Sequence, residues 1–457
     1  MLLKCFLKLQ QGLDGLFGQE RVCLRAKRMM LVGLLTVGRH WITRMISAAG
    51  RDQQDWSADY RLFSTRKWGL DRVFLHVLRA ALALSAESRV FVALDDTGVR
   101  RGGRLVKAAR WMRDPLSPKF HVNLVRGVRF LHFSLILRPK GAPEFRRGIP
   151  IHFELVECVK KPGKKATPEE VATYKEEKKQ KNLSASAVKA IKALRMLIDE
   201  AGAADKPLIV VGDGSYCNKT IMRATYERTT ILARTRKDAA LCRPARSGSG
   251  KIYGSTKFTP EEIRKSSRVP YKRARFFHGG AQRSLKYKDT ANVLWQRGTA
   301  GLRMRVLVLA PTGYRCTPKG KLLYRDPAYL LTSDLNTSAE VLIQAYLDRW
   351  QIEVNHRDMK DTLGLGDAQV WTDPAVARQP GFVAASYSLL LIAGLKAYGP
   401  ERTEDYLPLP KWRGKAARPS CLDLVTQLRR EAISAHKALE PLGIVIAKNA
   451  LTLKAAG

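Results

Sequence analysis

Apolar positions along residues 21–87 recur at helical spacing. In RMMLVGLLTVGRHWITRMI they return every three or four residues, and Gly50 closes the stretch. A second run, DRVFLHVLRAALALSA, follows the aromatic residues Trp56, Tyr60, Phe63 and Trp68. Both runs predict amphipathic helices. Arg and Lys interrupt them, which suits a plain helical bundle with a solvated basic face as well as a domain that binds DNA ends.

At Arg89 the period changes. VFVAL (90–94) is a short continuous apolar run that ends at Asp95-Asp96-Thr97-Gly98. FLHFSLIL (130–137) and IPIHFELVE (149–157) alternate like half-buried strands. The Lys-rich stretch 160–182 reads as a mobile loop or a solvated helix. Residues 183–201 have helical periodicity, with Ser184 or Ser186 as the expected cap. PLIVVGDGSY (207–216) is a second apolar run ending at an Asp. VFVAL and LIVV are too apolar for a strand facing water. They predict central strands of a sheet covered by helices on both sides.

Residues 230–335 differ in texture. Short strand-like runs (TTILART, RMRVLVLA, KLLYR, AYLLTS) alternate with basic turns, and this predicts a β-rich insertion. SGSGK in one turn is only superficially a phosphate loop: Ala245 stands where such a loop needs Gly, and Ile252 where it needs Ser or Thr. A long helix follows (338–360), then an apolar helix around 382–396, read as core rather than a dimer contact. A basic, partly helical tail closes the chain. The expected division is 1–87, helical and DNA-end-binding; 88–229 and 336–400, two parts of an α/β core; 230–335, the insertion; and 401–457, a basic tail available for a dimer contact.

Charge changes the picture. The chain of 457 residues carries 81 Lys+Arg against 41 Asp+Glu, a formal +40. Apolar residues make up 45%, enough for a real core, so this is not a basic disordered tail. A surplus of that size makes sense beside a polyanion. The longest uncharged stretch, Gln379 to Leu395, is about a turn short of the ~20 residues a membrane span needs. Lys4 and Lys8 interrupt the apolar start, which therefore does not read as a signal peptide. The seven cysteines are scattered with no C-x-x-C pair, against a disulfide framework or a zinc finger and in keeping with a reducing cytosol. The expectation is a cytoplasmic, nucleoid-associated protein.

On a helix turning ~100° per residue, Tyr346, Arg349, Glu353 and Lys360 fall within an arc of roughly 60°. One phenol, one guanidinium, one carboxylate and one ammonium thus share a face, which an ordinary solvated ion-pair stripe would also explain. Asp96 and Asp213 each follow an apolar run and would sit at the carboxyl edge of a central strand, where ligand sites of open α/β sheets lie. Two such Asp residues and a Glu from a packed helix can make a three-carboxylate cluster. Such a cluster holds hard divalent cations, and two of these can drive an in-line phosphodiester displacement. Asp95 and Asp96 point to opposite sides of an extended strand, and spacing alone does not choose between them.

The phrase Tyr346-x2-Arg349-x3-Glu353-x6-Lys360 resembles the Y-R-E-K signature of bacterial insertion-sequence transposases of the DDE class. Asp96-Thr97 in LDDTG resembles that family's first strand-end Asp phrase, and Val211-Gly212-Asp213-Gly214 its second. The gap from Asp213 to Glu353 is similar to that of members with a β-rich insertion before the Glu helix. The resemblance covers roughly residues 88–372. It implies an RNase H-like mixed sheet flanked by helices and split by the insertion, with 88–229 and 336–400 as its two parts. It implies two Mg²⁺ or Mn²⁺ ions held by Asp96, Asp213 and Glu353, with Asp96 favoured over Asp95. Tyr346, Arg349 and Lys360 would bind phosphates near the cleavage point. The implied activity is cleavage at transposon ends and joining of the 3′-OH to target DNA, directly or through a hairpin. Implied partners are double-stranded DNA and a second copy of the chain.

Other residues are secondary candidates. Trp295 would either stack on a flipped base or fill a β core. Arg264, Lys265, Arg268, Lys272, Arg273 and Arg275, interleaved with Tyr271 and Phe276, would follow a DNA backbone. His356 lies near the active face and reads as a hydrogen-bonding neighbour, and Asp361 as a decoy. Competing functions are a DDE-type nuclease without strand transfer, a catalytically silent DNA-binding protein of this fold, and a basic RNA-binding protein.

Overall fold

A computed structural model describes residues 1–445 except 115, 116, 119, 143, 158, 318, 319 and 415. Five helices come first: α1 (Leu2–Gln11), α2 (Glu20–Leu35), α3 (Ile42–Ala48), α4 (Ser57–Ser64) and α5 (Leu70–Leu82). The sheet then opens with β1 (Val90–Arg100), β2 (Arg110–Arg113), β3 (Leu124–Leu137) and β4 (Arg147–Leu155). Helices α6 (Pro168–Gln180) and α7 (Leu183–Ile198) lead to β5 (Leu208–Gly212), a short α8 (Lys219–Arg223) and β6 (Thr229–Arg234).

Strand β1 pairs antiparallel with β3 and parallel with β5; β3 pairs with β4, and β5 runs parallel to β6. The spatial order is therefore β4-β3-β1-β5-β6. Both apolar runs are central, and every residue from Val90 to Leu94 and from Leu208 to Gly212 is buried. Alternation divides them between two helical layers. Phe91, Ala93, Ile209 and Val211 face one side. Val90, Val92, Leu94, Leu208 and Val210 face the other, against Ala187, Ile191 and Leu194 of α7.

The insertion continues this sheet. It contributes β7 (Leu241–Pro244), β8 (Tyr253–Phe258), a short α9 (Pro260–Lys265), β9 (Lys272–His278), β10 (Ala281–Leu294), β11 (Arg303–Leu309), the small pair β12 (Thr312–Tyr314) and β13 (Leu323–Arg325), and β14 (Ala328–Thr332). Beyond β6 the order runs β14-β11-β10-β7-β8, with β9 paired to β10. Residue 230, where the texture changes, lies inside β6, which pairs with the core strand β5. Short β-branched runs look alike whether they pair in parallel or antiparallel, so texture alone does not locate that junction.

Helix α10 (Ala339–Asp348) passes through a tightened turn at Arg349 into α11 (Trp350–Arg357) and a π-turn, Asp358–Thr362. Leu342, Ile343 and Ile352 pack on the sheet face of Phe91 and Val211. Helix α12 (Asp373–Tyr398) is the one described helix long and apolar enough to cross a membrane, but 78% of its most apolar window is buried inside the fold. Phe63 and Trp68 pack edge-on against its Phe382, at 5.2 and 5.9 Å, so the N-terminal helices share the main core. Helix α13 (Cys421–Ser434) closes the described chain, followed by one 3₁₀ segment (His436–Leu442).

Two local expectations change, and one left open is decided. Residues 130–137 and 147–153 are buried on both faces rather than half-buried. Their alternation came from His132, Ser134 and His152, polar side chains that are themselves buried. Ser134 donates to Asn355 Oδ1 at 2.7 Å, so what looked like a water-facing position faces α11. Asn182, not Ser184 or Ser186, caps α7 by accepting from the Ala185 N–H; Ser184 Oγ instead accepts from Asn218 Nδ2. The Lys-rich stretch contains α6, opened by a Thr167–Glu170 capping box and burying no residue: a solvated helix.

Candidate active site

The register of the central strands decides which carboxylates meet. Leu94 lies beside Gly212 in the parallel β1–β5 pair, so the next residues out of the sheet are Asp95 and Asp213. Asp95 continues the series Phe91–Ala93 on the face covered by α10 and α11. Asp213 follows Ile209–Val211 on that same face. Asp96 belongs to the opposite series.

The side chains follow this parity. One carboxylate oxygen of Asp95, one of Glu353 and one ring nitrogen of His356 all lie within 4.8 Å of one another. Arg349 Nη1 sits 3.5 Å from Asp95 Oδ2 and 3.5 Å from Glu353 Oε1, bridging the two anions. Asp96 is not in that group. Its carboxylate lies 3.3 Å from Arg129 Nε and accepts from the Tyr216 hydroxyl at 3.1 Å. Asp213 folds back on its own turn, accepting from the Ser215 N–H at 2.8 Å. Gly212 permits that turn, because a Cβ there would meet Tyr216 Cβ at 2.9 Å.

Electrostatics mark Asp95. Burial, then the Glu353 charge, push its carboxyl up to about 7; Arg349 and the Asp96 N–H oppose the shift, and Asp213 adds to it. Asp96 is raised mainly by burial, with Arg129 and Tyr216 pulling it back. His356 is driven down to about 3 by burial, with Lys360 and Arg349 adding to the effect. Its Nε2 lies 2.9 Å from Nδ1 of His132, a wholly buried ring.

The remaining signature residues line the same helix. Tyr346 is half-buried against the α10 core. Lys360 falls in the π-turn, so the ideal 100° step no longer sets its direction. It is exposed by area, yet enough protein surrounds its ammonium that desolvation lowers its pKa. Arg100 adds to this, while Asp361 and Glu353 oppose it. Lys360 is nevertheless within electrostatic reach of Glu353.

The insertion candidates separate into two groups. Arg268, Lys272, Arg273 and Arg275 are exposed. Arg264 is tied to Glu261 by two bonds of 2.8 and 2.6 Å, and Lys265 lies 3.7 Å from the same carboxylate. Phe276 points inward against Tyr287 and is 2% exposed, so it does not interleave with the basic residues; Tyr271 stays at the surface under Lys288. Trp295 is half-buried against the main core, its indole folded over Gly298.

Arg129, Tyr216 and His132 complete the surroundings of the two Asp residues. Sequence carries a weak signal for two of them: Tyr216 stands two residues past the Asp213-Gly214 turn, and His132 interrupts an apolar strand.

Two carboxylates from distant segments meeting over a β4-β3-β1-β5-β6 sheet define an RNase H-like α/β protein. Residues 181–389 match the family model described as the transposase DDE domain, a span that contains Asp213, the insertion and the whole Y-R-E-K helix. That match covers a little under half of the 457 residues and supports a likeness to the insertion-sequence DDE transposases. No curated protein matches it.

The donor set suits a hard divalent cation. Two carboxylates converge with a ring nitrogen, and the half-buried Asp95 is held back from ionising first by its desolvation and then by the Glu353 charge. A cation relieves that repulsion, as Arg349 does in part.

Proposed function

We propose that this protein cuts DNA at the ends of a mobile element and joins the freed 3′-OH to target DNA. Asp95, Asp213 and Glu353 are the metal ligands, Asp95 standing where the resemblance favours Asp96. Two divalent ions, Mg²⁺ or Mn²⁺, would supply Lewis-acid activation of the attacking oxygen and stabilisation of the leaving one.

The chain's own residues do the rest. Arg349 and Lys360 place positive charge, and Tyr346 a hydroxyl, around a phosphorus that gains negative charge as it becomes five-coordinate. In the first step water oxygen bonds to phosphorus as the P–O3′ bond breaks. One water proton goes to solvent base and a proton returns to the released 3′ oxygen, leaving a 3′-OH and a 5′-phosphate. In the second step that 3′-OH attacks another phosphodiester, so bonds made and broken are equal in number and no energy cofactor is needed. The N-terminal helices would hold the element end, and Arg268, Lys272, Arg273 and Arg275 would track its backbone. Two ends must be brought together, which a dimer on DNA would achieve.

One observation supports this reading above the others: carboxylate oxygens of Asp95 and Glu353, remote in sequence, lie within 4.8 Å of each other; Asp213 lies outside that group but near enough for its charge to raise the Asp95 pKa. The test uses labelled duplexes taken from the DNA flanking the coding region, where short inverted repeats are expected. Mn²⁺-dependent nicking with labelled 3′-OH ends joined into a plasmid supports the transposase. Nicking without joining would leave a nuclease. Binding without nicking would leave a DNA-binding protein.

A further inference from the structure

His356 is one helical turn beyond Glu353 and only 8% exposed, yet no residue of the Y-R-E-K signature accounts for it. One of its ring nitrogens lies within 4.8 Å of both the Asp95 and the Glu353 oxygens. Its Nε2 is held 2.9 Å from Nδ1 of His132, which stands directly opposite Asp95 in the β1–β3 pairing. His132 is itself enclosed, with Phe153 at 5.4 Å. We infer that His356 is a nitrogen ligand of the metal held by Asp95 and Glu353, and that His132 is the positioning residue that orients it. This rests on the metal site proposed above.

Tautomers give the inference content. Two neutral imidazoles sharing one hydrogen bond have two arrangements. If His132 donates, His356 Nε2 accepts and its Nδ1 carries a proton, which would repel a cation. If His356 donates from Nε2, its Nδ1 lone pair is free for a metal. Ligating histidines commonly donate their other ring N–H to a fixed acceptor, and His132 Nδ1 is that acceptor. His132 Nε2 is buried and unpartnered in either arrangement, so it does not fix the tautomer. A bound cation selects the second, in which the His356 Nδ1 lone pair is free. A nitrogen donor among carboxylates also shifts preference from Mg²⁺ towards Mn²⁺ and later transition metals.

The test is pulsed electron paramagnetic resonance on the full chain loaded with Mn²⁺ alone. Expected is ¹⁴N modulation from a directly coordinated imidazole. It should vanish in His356→Gln while Mn²⁺ stays bound, about tenfold more weakly, and persist in His132→Phe with a similar loss of affinity. Mn²⁺ that is bound in wild type and lost in Glu353→Gln, but shows no nitrogen modulation, overturns the inference and leaves the carboxylate site standing. Mn²⁺ binding indifferent to Glu353→Gln overturns the carboxylate site as well. The wild-type spectrum decides even if a variant fails to fold.

Discussion

Asp95 and Asp96, adjacent in sequence, serve opposite faces of one strand: Asp95 meets Glu353 beneath α11, and Asp96 meets Tyr216 on the side of α7. The two substitutions should therefore differ in kind. Asp95→Asn should lower metal-dependent cleavage on the order of a thousandfold, the scale of several kcal/mol lost from a metal-stabilised transition state, with DNA binding kept. Asp96→Asn should keep most of the cleavage and act on the Arg129–Tyr216 contacts. Gel assays of nicking with both variants decide between them, and the reverse order would return the ligand role to Asp96.

Metal and pH should act on stability through Asp95. Its folded-state carboxyl titrates at about 7, while an unfolded Asp titrates near 3.9. Between those values the folded chain holds a proton that the unfolded chain has released, so stability falls as pH rises. The contribution is full below about pH 4 and is lost as pH passes 7. Mg²⁺ or Mn²⁺ should therefore raise the melting temperature more at pH 8 than at pH 6. Asp95→Asn should remove both the metal shift and much of its pH dependence. Thermal melts across that range check this.

Arg349 bridges Asp95 and Glu353 at 3.5 Å from each, which suits the proposed reacting centre better than the proposed DNA track. Arg349→Ala should cut cleavage about a hundredfold and change DNA affinity by less than about threefold. Lys360→Ala should follow the same pattern more weakly. Equal losses in cleavage rate and binding constant would argue for a phosphate anchor instead.

Basic residues of the insertion should divide as their partners do. Arg273→Ala and Arg275→Ala, both exposed on β9, should each reduce the slope of log affinity against log salt by about one. Arg264→Ala should leave that slope unchanged, because its guanidinium is held by Glu261. A salt titration of binding by fluorescence anisotropy reads all three.

What could be read from the chain was what local pattern controls. VFVAL and LIVV read as central strands because an unbroken apolar run leaves no polar alternation, and both are buried throughout. The Y-R-E-K helix was legible because its spacing is helical, although the π-turn at Asp358–Thr362 alters the direction of Lys360. Pairing was not legible. The choice of Asp95 depends on register with β5, and register is a property of two strands. His132 was hidden for the same reason, since only the β1–β3 pairing sets it opposite Asp95 beneath His356. Phe276 looked like part of a basic patch because its neighbours Arg275 and Arg273 face outward, while strand alternation turns it into the core.

The most direct measurement is Mn²⁺-dependent nicking of the element's own ends by wild type, Asp95→Asn, Asp213→Asn and Glu353→Gln, with DNA binding followed in parallel. Nicking is expected from wild type alone and binding from all four. Nicking that survives in any one of the three variants at the wild-type rate would contradict the three-carboxylate metal site.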